Sequence, residues 1–394
     1  MAMQRVRHFL LLLVLATGWS MSVWAEDAEQ EEATRQAAFR SGMQRIVDDL
    51  NAGSTDVFIN AIDQADLLDR IYGLRLIDQR VKKQIREGLP QSLLRYVTAS
   101  LPVTDESVKV TLLGVESRGD RGRAVVRFDL PKTSFNYHEY DLRLNGDGTV
   151  IVRDWTDFLD GSLFTESVGQ SMVMAAPGKS AARKLLDFAN VSENELFQFA
   201  ELLKAARDRK LDRYLTIRDG MQERFQRQRI VVETNVHLAR QVRKRRPMIA
   251  GLVIMANYYP DEPLYSLMLL DLYFPTRKYE EAFQALQALS DRLDVDDAAM
   301  LARLSATALV MEKPQDAVDY ADAALALEPT LELAWISAFS ARAALSDFAG
   351  AVEAAKKLKA EFGRDFDPET LGKVKSYAQL LESGEYKGWR ESLK

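Results

Sequence analysis

Few side chains in this sequence have the types and spacing that acid–base chemistry requires. His138 and Tyr140 alternate along one predicted strand, and Asp154 lies on the next. If the predicted sheet is concave there, an imidazole and a carboxylate would line a polar pocket suited to proton transfer. The same residues also fit an ordinary surface or edge strand whose aromatic side chains pair across strands. Both interpretations stay open at this point.

No other motif of a reactive site occurs in the chain. His237 is the one remaining histidine besides His8, and neither His138 nor His237 has the neighbours of a metal motif such as HExxH. His237 falls in a helical run, which favours a structural role. The sequence has no cysteine, no glycine-rich phosphate loop and no GxSxG motif. We therefore predict no catalytic residue, no metal and no cofactor, and we favour a protein that is not an enzyme.

Charge argues against nucleic acid as a partner. The 394 residues carry a net charge of −6, and such a surface does not generally attract a polyanion. One segment reverses this sign, and we call it the basic patch: Arg240, Arg243, Lys244, Arg245 and Arg246. It fits a docking surface for an acidic protein or an anionic membrane surface. Alternatively, these cations occupy the end of a helix just before Pro247, where the helix dipole favours positive charge.

The first 25 residues have the pattern of a secretory signal. Arg5 and Arg7 precede a mostly apolar run over residues 9–18, and compact residues at 23–25 precede a cut before Glu26. The alternative is an uncleaved anchor, but the apolar run is about half the roughly 20 residues needed to span a bilayer. We expect an exported protein, periplasmic or secreted, without a transmembrane helix in the mature chain.

Two different periodicities of apolar residues divide the rest of the sequence. Residues 26–175 begin with helical spacing and then alternate between about 107 and 155, which predicts an α+β domain with a four-stranded antiparallel meander. Residues 176–394 show only helical spacing, and Ser192 with Glu195 forms a capping box. The predicted fold class is this α+β domain followed by an all-α helical solenoid.

The order of elements in the first domain, helices and then a meander, resembles the nuclear-transport-factor-like and cystatin-like α+β domains. The resemblance covers about residues 30–160 and includes no diagnostic motif. It implies a curved sheet whose concave face could hold a ligand or another protein.

The second domain contains an internal repeat. Ala282, Ala317 and Ala351 occupy equivalent positions 34 or 35 residues apart, and small residues recur around each of them. The segment resembles the tetratricopeptide repeat, a 34-residue helix–turn–helix unit, best over residues 298–330. Trp335 stands at the aromatic position of the next unit. Five or six hairpins would fill residues 195–394, with the alanines at the contacts between stacked helices.

The resemblance implies a concave groove lined by the first helix of each unit. The corresponding positions here are mostly apolar: Leu264, Leu267, Asp271, Phe274, Ala302, Leu309, Leu333, Ile336 and Ser340. Members that grip a terminal carboxylate use Lys, Arg and Asn at such positions, so a helix of another protein fits this groove better. Alternatively, the chain's own first domain covers part of this face.

The functional prediction is therefore a protein–protein interaction adaptor. The alternative, from another functional class, is an α+β domain that binds or converts a small molecule while the repeats serve assembly.

Overall fold

The computed structural model describes residues 29–74, 89, 92–103, 108–131, 134–175, 182–183, 185–186 and 190–393.

The N-terminal helices form the first layer of the molecule. Helix α1 spans 29–51, α2 Asp56–Ala61, α3 Gln64–Gly73 and α4 92–100. The predicted signal at residues 1–25 and part of the second predicted helical run, 75–88, lie outside the described residues.

The second layer is an antiparallel sheet with strand order β1-β2-β3-β4-β5. Its strands are β1 Lys109–Arg118, β2 Arg121–Leu130, β3 Ser134–Leu144, β4 Val150–Asp157 and β5 Ser162–Leu163. The predicted meander is thus confirmed, and a two-residue fifth strand extends it. Helix α5, Phe164–Ala175, follows this strand.

Two side-chain amides lie along the free edge of β1. Asn51, the last residue of α1, accepts a hydrogen bond from Val110 N (2.7 Å) and donates one to Val110 O (2.8 Å). Gln36 from the same helix donates to Val115 O. Helix α1 therefore supplies polar partners to backbone groups that no neighbouring strand pairs with.

The C-terminal part is a series of five helical hairpins, which confirms the predicted helical solenoid. Hairpin 1 consists of α6 Glu193–Arg207 and α7 Leu211–Asp219, and a short α8, Glu223–Gln226, follows it. Hairpin 2 consists of α9 Arg229–Gln241 and α10 Arg245–Tyr258, and hairpin 3 of α11 Ser266–Tyr273 and α12 Tyr279–Leu293. Hairpin 4 consists of α13 Ala298–Val310 and α14 Pro314–Leu327, and hairpin 5 of α15 Glu332–Ala344 and α16 Phe348–Phe362.

Three short helices close the solenoid: α17 Pro368–Gly372, α18 Ala378–Glu382 and α19 Gly384–Glu391. Tyr386 and Trp389 of α19 are buried in a cluster with Phe339 of hairpin 5, so the last hairpin does not expose its end. The predicted capping box is also present, since Ser192 and Glu195 exchange hydrogen bonds at the start of α6.

The same turn recurs in all five hairpins. In each, one residue between the two helices has a left-handed backbone: Arg209, Arg243, Arg277, Glu312 and Ser346, with φ between 53° and 65°. The next residue donates its N–H to a carbonyl five positions earlier, as Lys244 does to Ala239 (2.8 Å). This is the bond of a Schellman-type helix end. Because the turn returns every 34 or 35 residues, the hairpins share one geometry.

Both faces of the sheet are covered. Phe128, Tyr140 and Trp155 on one face share an apolar core with the N-terminal helices, and this core continues into hairpins 1 and 2. On the other face Val125 and Tyr137 share a core with hairpins 3, 4 and 5. Both cores therefore contain residues from each side of position 175.

No described helix is long and apolar enough to cross a membrane.

The alanines of hairpin 4 provide a test of the packing. Ala317 and Ala324 are fully buried. Substitution by leucine forces extra atoms into a filled contact, so A317L and A324L should each lower the free energy of unfolding by about 1–3 kcal/mol, measured by urea denaturation. Asp319 on the same helix is exposed, and D319L should change stability little. Equal effects at all three positions would contradict this packing.

Candidate functional site

The predicted groove is not an open surface along its whole length. Leu267, Ala302 and Leu333 are buried in one cluster with Phe135 and Tyr137 of β3. The chain's own sheet therefore covers the middle of this face, as one of the two interpretations of the sequence held. Towards the C-terminal end, Ser340 contacts Tyr377 through their hydroxyl groups (2.9 Å). Ile336 packs against the cluster that includes the closing helices, and Leu309 packs within hairpins 4 and 5.

The groove borders two accessible clefts, and Leu333 lines one of about 480 Å³ between the sheet and hairpin 5. The other, of about 270 Å³, we call the groove cleft. Leu267, Leu270, Asp271 and Phe274 of hairpin 3 line one wall, with Pro275 at the rim. The opposite wall is formed by Ser134, Phe135, Leu159 and Arg303. Leu264 adjoins the apolar cluster beneath the cleft.

Charge is confined to two positions of this groove cleft. The Arg303 guanidinium lies 5.5 Å from the centre of the Phe135 ring, and burial lowers the pKa of Arg303. Asp271 accepts a hydrogen bond from Arg240 at 3.3 Å. The cleft thus combines apolar residues with one cation and one carboxylate, which is the composition of many ligand pockets.

A buried arginine fixes the sheet against hairpin 4. The Arg127 side chain on β2 is fully buried and donates to Asp129 (2.7 and 3.0 Å), to Glu328 (2.7 Å) and to Asp297. Asp297 also accepts from the Tyr137 hydroxyl and from Met300 N, which makes it the N-cap of α13. We call Arg127 with these three carboxylates the Arg127 junction. It connects the sheet to the start of α13 and the residue after α14.

Arg127 stabilises the charges of the carboxylates around it only in part, since burial holds the pKa of Asp129 above its ordinary value. Burial opposes the charged form of Arg127, yet Asp297 and Asp129 hold its pKa above the ordinary arginine value. Burial likewise opposes ionisation of Glu328, but hydrogen bonds from Lys109 and Arg127 lower its pKa. Removal of Arg127 leaves three carboxylates without their shared cation in a largely buried region.

The pocket predicted around His138, Tyr140 and Asp154 needs a correction. His138 and Tyr140 are buried in the core on β3, which is an inner strand of the sheet, and the His138 ring lies 4.6 Å from that of Phe128. Asp154 instead accepts hydrogen bonds from the backbone and hydroxyl groups of Thr165 at the start of α5. Burial raises the pKa of Asp154 to about 6. The prediction failed because helices cover the face of the sheet that was expected to be concave and open.

Both histidines of the described chain nevertheless approach one acidic loop. His138 Nε2 lies 3.3 Å from Asp157 Oδ2, and His237 Nδ1 lies 4.0 Å from Asp160 Oδ1. His237 lines a polar cleft of about 310 Å³ between α5 and hairpins 1 and 2. Other polar residues of this histidine cleft are Asp160, Ser162, Ser167, Gln170, Ser171, Glu233, Thr234, Arg240 and Gln241. His237 thus borders a ligand-sized polar space, although the sequence favoured a structural role for it.

The basic patch surrounds the turn of hairpin 2. The sequence allowed these residues to form the end of a helix before Pro247, but α9 already ends at Gln241 and α10 begins at Arg245. Pro247 lies in the first turn of α10, where proline is tolerated. Arg245 and Arg246 therefore lie at a helix N-terminus, where the dipole disfavours cations. Arg243, Lys244, Arg245 and Arg246 are all exposed.

Among the residues described, no group of three or more His, Asp or Glu side chains is arranged to hold a metal ion.

Comparison with known proteins adds no assignment. No protein-family model matches the sequence, and no curated protein shows significant similarity to it. Function must therefore be argued from the geometry of these surfaces.

Sequence reasoning missed the Arg127 junction, although one signal for it was present. Strand β2 contains Ala124, Val125 and Val126 in succession, and consecutive apolar residues indicate a strand covered on both faces. That signal predicts that something covers the second face. It does not predict that Arg127 pairs with carboxylates about 170 and 200 residues later.

The Arg127 junction can be tested by the loss of its cation. R127M removes the cation that Asp129, Asp297 and Glu328 share in a largely buried region, so the free energy of unfolding should fall by about 3–5 kcal/mol. The comparison is R123M, because Arg123 on the same strand also bonds to hairpin 3, at Leu293 O, but its side chain is partly exposed and water can replace lost partners. The triple variant R127M/D297N/E328Q should recover part of the loss. An R127M effect no larger than that of R123M in urea denaturation would contradict this account.

Proposed function

We propose that this protein is an exported protein–protein interaction scaffold whose solenoid binds a segment of another protein. The observation that carries the proposal is the groove cleft beside hairpin 3. It combines Leu267, Asp271 and Phe274, three residues that the sequence assigned to a binding groove, with a second wall from the sheet. The leader pattern of residues 1–25 supports export.

The bound segment would be short and partly apolar. A volume of about 270 Å³ accommodates a few side chains rather than a whole domain. Leu270 and Phe274 are half-buried, so each already contacts the protein on one side and offers its other side to a partner. An amphipathic helix that places apolar residues three and four positions apart suits such a wall.

The hairpins fit the tetratricopeptide class that we propose for them. The recurrent left-handed turn supports the proposal, because it repeats at the 34-residue step of that class with a single insertion of one residue. Repeats of this kind stack into extended surfaces, which suits a scaffold better than a catalyst. The likeness of the first domain to the nuclear-transport-factor-like class remains a proposal of the same kind.

Site-specific photocrosslinking in cells tests the scaffold. A photoreactive residue at Asp271 or Pro275, both exposed at the groove cleft, should capture a discrete protein partner. The same residue at Asp319, exposed on α14, should capture none. L270Q should reduce capture from Pro275 about tenfold or more, because a central apolar contact carries much of the binding energy.

The matched substitution for L270Q is L327Q, since Leu327 is an exposed leucine of another hairpin (49 % exposed). Capture should be unaffected by this change. Equal capture from all three crosslinking positions, or loss with L327Q as large as with L270Q, would refute the groove cleft as the binding site.

A second candidate function is the binding of a small polar molecule in the histidine cleft. The observation that favours it is the convergence of His237 and Asp160 on a space lined by hydroxyl, amide and carboxylate groups. Such a mixture suits a ligand with several hydrogen-bonding groups, because each polar group of the ligand can find a partner.

A thermal-shift screen of polar metabolites tests this second candidate. A true ligand should raise the melting temperature of the wild-type protein and have little effect on H237A, because His237 lines the cleft. H138A is the control for general loosening, since His138 is buried in the core and does not line the cleft. A ligand whose stabilisation survives H237A would bind elsewhere.

A further inference from the structure

The turn of hairpin 2 differs in charge from the rest of the chain. Residues 234–260 contain no Asp or Glu, although the protein as a whole is acidic. Four consecutive cations, Arg243 to Arg246, lie at the tip of the hairpin and are exposed. None of the four forms an ion pair with a carboxylate in the described part of the chain. Arg240, the fifth member of the basic patch, is bonded to Asp271 and to Leu159 O.

Helix α10 begins within this patch. After its first turn, none of its exposed side chains is charged. Its exposed positions after Arg246 are Ala250, Val253, Asn257 and Tyr258, and Val253 is 41 % exposed. The Tyr258 hydroxyl donates to Glu223 of α8 (2.8 Å). The corresponding helices of other hairpins expose charged residues instead. Helix α14 exposes Asp316, Asp319 and Asp322, and α16 exposes Glu353, Lys356 and Lys357. An uncharged outer face is therefore specific to hairpin 2 in this comparison.

The neighbouring turns extend the cationic edge. Arg209 and Lys210 in hairpin 1, and Arg277 and Lys278 in hairpin 3, occupy the same turn position as Arg243 and Lys244, and all are exposed. These two turns also carry acids, such as Asp208 and Glu280, so the positive potential is centred on hairpin 2. Stacking of hairpins places equivalent turns along one edge of a solenoid.

We propose that the tip of hairpin 2, Arg243–Arg246 with the adjoining face of α10 around Val253, docks on an anionic lipid bilayer. Clustered cations attract acidic headgroups, and each contributes to partitioning independently. The exposed Val253 side chain on the uncharged face beside them enters the boundary between headgroups and acyl chains, as apolar side chains do in helices that lie on a membrane. An acidic protein would account for the cations but gives no role to the uncharged face. Charge and apolarity together therefore favour the bilayer.

Vesicle cosedimentation tests this docking surface, with the protein in the form recovered from cells. Wild-type protein should partition onto vesicles of phosphatidylethanolamine and phosphatidylglycerol at low salt, and only weakly onto phosphatidylcholine vesicles. High salt should weaken the binding, because screening shortens the reach of exposed charges. The variant R243Q/K244Q/R245Q/R246Q should lose about 100-fold or more in partitioning. V253S should also weaken binding, about tenfold, although it changes no charge.

The matched control is K356Q/K357Q/K359Q/K373Q, which removes four exposed lysines elsewhere in the solenoid region. It should bind vesicles like the wild type, and circular dichroism should show that all variants are folded. Equal binding to both vesicle types, or equal losses for both quadruple variants, would overturn the proposal. Binding to soluble polyglutamate that depends on the arginines, without binding to vesicles, would overturn it in favour of an acidic protein partner.

Discussion

The architecture depends on the burial of one positive charge between the sheet and the solenoid. Arg127 has no contact with solvent, and its charge is compensated by carboxylates from its own strand and from both ends of hairpin 4. A buried ion cluster of this kind tolerates little displacement, because its Coulomb energy offsets desolvation only in close geometry. The position of hairpin 4 against β2 is therefore specified more strictly than apolar packing alone would specify it.

That constraint determines which surfaces remain for binding. With hairpin 4 held at the sheet, the middle of the groove is filled by Phe135 and Tyr137. A close approach at Gly114 extends the contact, since a Cβ at this position would lie 2.6 Å from Val295. Accessible surfaces include the groove cleft at hairpin 3, a cleft of about 480 Å³ between the sheet and hairpin 5, the histidine cleft at hairpin 2 and the outer edge of the solenoid. The first domain is thus a structural part of the proposed binding surface at hairpin 3.

Local periodicity predicted the elements well and their contacts poorly. Alternation identified four strands correctly, but β5 has only two residues, too few to show alternation. The repeat of small residues located the hairpins, because stacking imposes the same size limit in every unit. Sequence reasoning placed His138 near an open face, yet a period of two separates faces without revealing which face a helix covers. Pro247 was ambiguous, because proline follows helix ends and also occupies first turns.

The amides of Asn51 and Gln36 along β1 affect the risk of aggregation while the chain is still folding. An open edge strand is a template on which a second polypeptide can add a strand, and this is a common route to aggregation. Here α1 precedes the sheet in sequence, so the groups that block this edge are synthesised before the edge itself. The chain contains no cysteine, so no disulfide can hold this region closed during folding. Helix α1 and two neutral side chains protect the edge instead.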